Sequence, residues 1–252
     1  FTHANYFLNF SKLLGLTSES KVDCETSQNQ ILKMYDSGKE IPWDLRNPQP
    51  AIVNAFREGL FDGLVLDAGC GFGDNGIYLA KQGLQVVGFD FSDKAIEIAK
   101  DRAKKEGVDH LCEFFQADAL NTQNGALRGR QFDRILDSAC LQCFDPATQP
   151  KYAENLAPLL RPGGLVVMLV VCNESQLRSW CRGLAWMEAH LHGLFNAERG
   201  WAVKSMEHCT FVENIPRVVI TKGVRSFEPT TPSPCLRMVA ARLPPPRAHT
   251  LP

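Results

Sequence analysis

Gly69, Gly71 and Gly73 alternate directly after Asp67-Ala68, and a further acid, Asp90, stands beyond them. Glycines let the backbone turn tightly and let a ligand approach the main chain. An acid in the place of Asp90 can accept hydrogen bonds from two adjacent ribose hydroxyls, which suits a dinucleotide and S-adenosylmethionine equally. The loop separates the two. A dinucleotide fingerprint, Gly-x-Gly-x-x-Gly, sets its pyrophosphate on a helix N-terminus. Counted from Gly69, its third glycine falls on Asp74. Acids at Asp67 and Asp74 repel a pyrophosphate and suit an ammonium and a sulfonium. The pattern favours the sulfonium cofactor.

Other chemistry-bearing residues are less ordered. Cys140-x-x-Cys143 is a single pair with no second pair downstream, so wall residues are the first reading, ahead of zinc, redox work or a held metalloid. The six histidines (His3, His110, His190, His192, His208, His249) show no convergent spacing. His190 and His192 would lie on different faces of a helix, and no metal site is expected. The cluster from Lys100 to Lys105 contains an acid, Asp101, and reads as a solvated helix face.

The elements that must position these residues alternate. Leu64-Val65-Leu66 reads as a strand, Asn75 to Lys81 as a helix closed by Gly83, and Gln85 to Phe89 as a second strand. Ser92 is an N-cap for a helix from Asp93 to Glu106, with Ala95, Ile96, Ala99 and Ala103 on one face. Cys112 to Phe115 and Phe132 to Leu136 are strands, and Ala147 to Leu160 a helix. Pro162-Gly163-Gly164 then turns into a strand from Leu165 to Val171. This alternation implies a doubly wound α/β fold with a mostly parallel, seven-stranded Rossmann-like sheet and helices on both faces.

Ahead of it, residues 1–60 read as an N-terminal cap or lid. Phe7, Leu8, Phe10, Leu13 and Leu14 form one candidate buried face, and Ala51 to Leu60 a helix begun by Pro48-Gln49-Pro50. The main domain is expected over 61–243. Within it, Trp180, Leu184, Trp186, Met187, Leu191 and Leu194 suggest a helical stretch over the sheet edge. Trp201 to Val212 and Leu236 to Leu243 read as the last strands, joined by a long Pro-containing loop, with Pro234-Cys235 at the start of the second. Residues 244–252 are expected to be a disordered tail.

Composition bounds the partners. The 252 residues are 44% hydrophobic and 22% charged, with 27 basic against 28 acidic side chains. A net charge of −1 speaks against a nucleic-acid partner. The longest apolar run, Leu165 to Cys172, is far short of the roughly 18 residues of a membrane span. A small-molecule substrate is expected. Nine cysteines, several in apolar runs, point to a reducing, cytoplasmic setting rather than a disulfide framework. The start at Phe1 leaves a removed leader open.

In order, Asp67-Ala68-Gly69-Cys70-Gly71-Phe72-Gly73, Asp90, Gln116-Ala117-Asp118-Ala119 and Leu160-Arg161-Pro162-Gly163-Gly164 resemble the motif series of class I S-adenosylmethionine-dependent methyltransferases. The resemblance covers about residues 60–171. It implies that the loop, with Asp67, Gly69, Cys70, Gly71 and Gly73, contacts the methionine part of the cofactor. Asp90 and Phe91 would lie at the ribose, and Asp118 with the Ala119 backbone at the adenine; for Asp118 a strand-end cap is the competing reading.

Pro42-Trp43-Asp44-Leu45 with Pro48-Gln49-Pro50 resembles the N-terminal signature of thiol and halide methyltransferases, and of bacterial relatives near the thiopurine and tellurite enzymes. This implies that Trp43 closes over cofactor and substrate, although a core tryptophan pinning the extension fits as well. The run from Asp137 to Phe144 would line the reaction site. There Asp137 is the candidate base and a cofactor contact, and Cys140, Gln142 and Cys143 are substrate-lining. Bacterial relatives often carry histidine where this chain has Gln142. A thiol or halide acceptor is the first expectation, and an oxygen, nitrogen or metalloid acceptor the second. A nicotinamide oxidoreductase and a non-catalytic cofactor binder are readings from other classes.

Overall fold

The computed structural model describes residues 24–37, 41–172, 183–214, 217–221, 224–228 and 231–244. The expectations on Phe7 to Leu14, on Trp180 and on the tail after Pro244 lie outside them.

Among the described residues the first helices are α1 (Cys24–Asp36) and α2 (Pro50–Arg57). The alternating region then reads β1 (Leu64–Ala68), α3 (Asp74–Lys81), β2 (Gln85–Asp90), α4 (Asp93–Lys105), β3 (Cys112–Gln116), β4 (Phe132–Ser138), α5 (Gln149–Leu156) and β5 (Leu160–Val171). After it come α6 (Leu184–Leu194), β6 (Trp201–Glu213), β7 (Arg217–Thr221), β8 (Val224–Glu228) and β9 (Thr231–Arg242).

One seven-stranded sheet has the order β3-β2-β1-β4-β5-β9-β6. β1 to β5 pair in parallel, and β9 runs antiparallel between β5 and β6. The chain winds outward from β1 to β3, then returns to β4 on the other side. This reversal opens a crevice beyond the C-terminal ends of β1 and β4, where open α/β sheets bind ligands.

Strand periodicity splits the core into two layers. Leu66, Val87, Ile135, Val166 and Met168 face Tyr152 and Leu156 of α5 and Met187 and Leu191 of α6. Val65, Val86, Leu136, Val167 and Leu169 face Ala51 and Ile52 of α2, Ile77 of α3 and Ile96 of α4. Each fully buried aliphatic side chain contributes about 1.5–3 kcal/mol relative to exposure. Ser92 caps α4 as expected, its hydroxyl accepting from Ala95 N at 3.2 Å.

Two local expectations are corrected. The connection between β6 and β9 is not a plain loop, because β7 and β8 form an antiparallel hairpin within it. The helix expected to reach Leu160 stops at Leu156, and Pro162-Gly163-Gly164 lies inside a long β5 rather than ahead of it. The register against β4 slips there, from Phe132↔Leu160 to Arg134↔Leu165. Proline cannot donate to a ladder, and Gly163 has φ +81°, so the extra residues form an irregularity. Among the described residues no helix is long and apolar enough to cross a membrane.

Candidate active site

β1 delivers the chain into the glycine loop at the crevice. Gly69, Gly71 and Gly73 all have positive φ (+68°, +53° and +82°). A Cβ on Gly69 would stand 2.5 Å from Cys140 Sγ, so the residue after β1 packs directly on the segment after β4. Cys70 N donates to Phe89 O at 2.9 Å, and Gly71 N donates to Asp90 Oδ2 at 2.9 Å. Asp90 Oδ1 accepts from Ser92 N at 3.0 Å. Two backbone donors leave lone pairs on a carboxylate, enough for a diol.

Asp67 is 1% exposed, and its Oδ2 accepts from Gly76 N in the first turn of α3 at 3.1 Å. Burial raises Asp67 to about 7 and Asp90 to about 6. Among the described residues no basic side chain is ion-paired with either acid. Two buried acids without a cation, under a loop that lacks Cβ atoms, fit a positively charged ligand held close to the main chain.

Asp74 is a different case. Arg102 Nη1 donates to it at 2.6 Å and to Asp44 Oδ1 at 2.8 Å, while Nη2 donates to Asp44 Oδ2 at 2.9 Å. One guanidinium between two carboxylates leaves the cluster net negative, so Asp74 still disfavours a pyrophosphate while it helps to hold the strap. Arg102 is not part of a solvated face: it lies 4.9 Å over the Phe72 ring and joins α4 to both acids.

The segment around Trp43 is strapped across the sheet edge. Pro42 O accepts from Asn214 N. The Gln49 amide pairs with Val212 like a neighbouring strand, donating to its O at 2.8 Å and accepting from its N at 2.9 Å. Gln49 N donates to Asn75 Oδ1 at 2.8 Å. Trp43 thereby meets the edge of Tyr35, with centroids 6.1 Å apart, and Tyr35 packs 5.1 Å from Phe72. Ile41, Ala95 and Phe91 complete this cluster.

Tyr35 is the functional candidate that sequence reasoning missed. Its hydroxyl would lie 3.3 Å from a Cβ on Gly71. Burial raises its phenol well above the ordinary value, and Asp90 adds to this, with Cys143 and Cys70 contributing. Tyr35, Asp90, Cys70 and Cys143 thus share one environment. The available signal was faint: an aromatic four residues after Ile31, in a helix whose first half is polar.

After β4, Ala139 has φ +71°, an unfavourable region for a residue with a Cβ, and Ala139 N donates to Leu169 O at 3.0 Å. The strained turn is fixed by Asp137. That carboxylate is 0% exposed and accepts from Cys140 N (2.7 Å), Leu141 N (3.1 Å) and the Tyr152 hydroxyl (2.9 Å). Burial raises it to about 7. Of the two roles expected for Asp137, base and cofactor or positioning contact, these bonds favour positioning: it lies sealed beneath the site and shapes the turn that carries Cys140 and Cys143.

Gln142 Oε1 accepts from Val171 N at 2.7 Å, tying this turn to the end of β5. Asp118 is exposed, and its Oδ1 accepts from Leu120 N at 2.8 Å, which is the cap geometry. Ala117 N donates to Asp90 O at 2.9 Å and so brings the Asp118-Ala119 segment beside Asp90. His190 stacks on Trp186 at 4.8 Å and lies 2.6 Å from Gln149, anchoring α6 over this edge.

Replacing Arg102 by methionine or Asp44 by asparagine is expected to loosen the strap and to cost about 1.4 kcal/mol of cofactor affinity, roughly tenfold. Calorimetric titration checks it; unchanged affinity in both variants would separate the strap from the site.

Residues 65–164 match the methyltransferase domain family. The 2-heptyl-1-hydroxyquinolin-4(1H)-one methyltransferase of Mycobacteroides abscessus is 30% identical over 51% of this chain and 55% of its own length. The probable thiol methyltransferase 2 of Arabidopsis thaliana is 29% identical, over 58% of this chain and 63% of its own. The chain thus spans little more than half of each. An uncharacterized methyltransferase of Schizosaccharomyces pombe, C750.03c, is 30% identical over 51% of this chain and 86% of its own length. Among solved structures, one described as converting a disulfide bond into a thioacetal group during echinomycin biosynthesis is 26% identical. It has a TM-score of 0.67 and covers 85% of this chain and 92% of its own. Similarity in sequence and in sheet architecture thus meets a glycine loop and buried acids suited to a cation, and the chain belongs to the S-adenosylmethionine-dependent methyltransferase family.

Proposed function

We propose that the chain methylates a small acceptor that is already anionic near neutral pH, with a thiol as the first choice. The observation that carries this reading is the sealed Asp137. An alcohol needs a base at the reacting oxygen, whereas a thiol is partly thiolate at neutral pH. S-adenosylmethionine supplies a methyl group on a positively charged sulfur. The chain's part is to hold, align and dry the two partners.

In this reading Gly69, Cys70, Gly71 and Gly73 carry the methionine portion, and Asp90 and Phe91 the ribose. The Asp118-Ala119 segment borders the adenine. Asp67 and Asp137 act from beneath, the first on α3 and the second on the Cys140 turn. Trp43 and Tyr35, from the cap (1–60), cover the loop, and Cys140, Gln142 and Cys143 border the acceptor, with 61–243 as the catalytic domain. Soft sulfur atoms on that wall suit a polarisable acceptor. The Arabidopsis relative's thiol in its name supports this, and the N-hydroxyl compound named for the mycobacterial relative keeps an acidic oxygen acceptor as the second reading.

An acceptor series of graded acidity, read by S-adenosylhomocysteine release, tests it. Rates are expected to follow the ionised fraction of each acceptor, with kcat/KM rising with pH through the acceptor's own pKa. Fast turnover of simple alcohols would overturn the reading.

The buried acids set a second expectation. Because Asp67 and Asp90 are raised to about 7 and about 6, part of each is protonated at pH 6.5. A cationic ligand favours the carboxylates, so binding at that pH is expected to expel protons. The measured heat should then be more exothermic in Tris than in phosphate. Equal heats in both buffers would mean that neither acid faces the cation. The sign for the free protein follows the same shifts. The folded state retains protons that the unfolded chain has lost, so these groups lower stability as pH rises from about 4 to about 7.

A further inference from the structure

We infer that Cys209 and Cys235 form a reversible dithiol–disulfide site, oxidised by hydroperoxides. The sequence directs attention elsewhere, to Cys140-x-x-Cys143. There, however, Cys140 Sγ faces Gly69, and Cys143 Sγ donates to Ala139 O at 3.5 Å.

Cys209 and Cys235 are far apart in sequence, yet they are direct partners in the antiparallel pairing of β6 with β9. Directly opposed residues project to the same face, with Cα atoms about 4.5–5.5 Å apart. That lies inside the range of about 4.4–6.8 Å that a disulfide spans. Both side chains pack into the same core layer, where Cys235 Sγ donates to Leu236 O at 3.5 Å.

The two thiols are unlike. Cys209 is partly exposed on the sheet's edge strand, whereas Cys235 is 1% exposed. Arg237 stands two residues from Cys235 on the same face of β9, paired with Glu58 and Glu207. Its neighbour Cys235 and then Arg237 lower the Cys209 thiol against its burial and the nearby Glu207, while Cys209 and burial push Cys235 up. A peroxide reaches the partly exposed Cys209 on the edge strand, which makes Cys209 the attacking thiolate and the buried Cys235 the resolving thiol.

In the first step the Cys209 thiolate attacks one peroxide oxygen and the O–O bond breaks. This forms a sulfenic acid and releases hydroxide, which takes the proton that Cys209 lost and leaves as water (an alcohol for an organic hydroperoxide). Cys235 sulfur then attacks the sulfenic sulfur, and the hydroxyl leaves with the Cys235 proton as a second water. Two thiols are oxidised to one disulfide as the peroxide is reduced. The bond would staple β6 to β9 three residues before Val212, which receives Gln49 of the strap.

The test treats the full chain with hydrogen peroxide, alkylates the remaining thiols and digests with trypsin without reductant. Cleavage after Arg217 and Arg225 separates the two cysteines, so only a disulfide keeps their peptides together. The expected result is a linked Cys209–Cys235 peptide that dithiothreitol releases, with a mass loss equal to two hydrogens. In Cys235→Ser, dimedone is expected to trap a sulfenic acid at Cys209. A Cys140–Cys143 link in its place, or Cys209 recovered only as free thiol or sulfinic acid, would overturn the proposal. The unmodified chain decides this even if a serine variant folds poorly.

Discussion

Replacing Asp90 by alanine is expected to weaken S-adenosylmethionine binding by about 100-fold or more, close to 3 kcal/mol. The carboxylate stands at the end of β2, 4% exposed, with Gly71 N and Ser92 N as its donors. Its loss removes the proposed acceptor for two ribose hydroxyls and one of the two buried acids beside the loop. It also frees Gly71 N, so part of the effect would come from the loop. Asp90→Asn separates the two contributions: an amide oxygen still accepts from Gly71 N, but the charge is gone. Intermediate affinity in Asp90→Asn is the expected pattern. Full affinity in Asp90→Ala, measured by calorimetry, would place the cofactor elsewhere.

Gly69→Ala is expected to abolish measurable cofactor binding and to lower stability by about 3 kcal/mol. At φ +68° an alanine is strained, and its Cβ would fall 2.5 Å from Cys140 Sγ and 2.8 Å from Cys140 Cβ. Cys140 cannot retreat, because its N–H is held by the sealed Asp137 at 2.7 Å. Trimming the sulfur does not relieve the clash, so Gly69→Ala combined with Cys140→Ala should remain defective. Gly83→Ala is the control. Gly83 has φ +90° with nothing within 4 Å of the added Cβ, so it carries the strain without the collision. Thermal melting should show a fall of roughly 6–12 °C for Gly69→Ala and a smaller one for Gly83→Ala. Equal effects would mean that contact between the loop and the post-β4 turn does not matter.

What the sequence made legible was local. Strand alternation, the Ser92 cap and the Gly69–Gly73 turn depend on neighbours in the chain, and each lies where the pattern placed it. What it concealed depends on distant packing. Asp137 carries the same side chain whether open or sealed; Tyr152, fifteen residues on, closes it. Arg102 sits among lysines and reads as solvated until the strap brings Asp44 to it. Tyr35 belongs to a helix with little apolar pattern, and its role appears only where that helix meets the loop. The Cys209–Cys235 pairing rests on strand register, which no short motif encodes.

The measurement that reaches the central claim most directly is titration of the purified chain with S-adenosylmethionine, followed by incubation with a small thiol while S-adenosylhomocysteine is quantified. The expected result is saturable binding with thiol-dependent release of S-adenosylhomocysteine. Failure to bind S-adenosylmethionine would contradict it, and binding without turnover on any acidic acceptor would leave a cofactor-binding protein in place of the proposed enzyme.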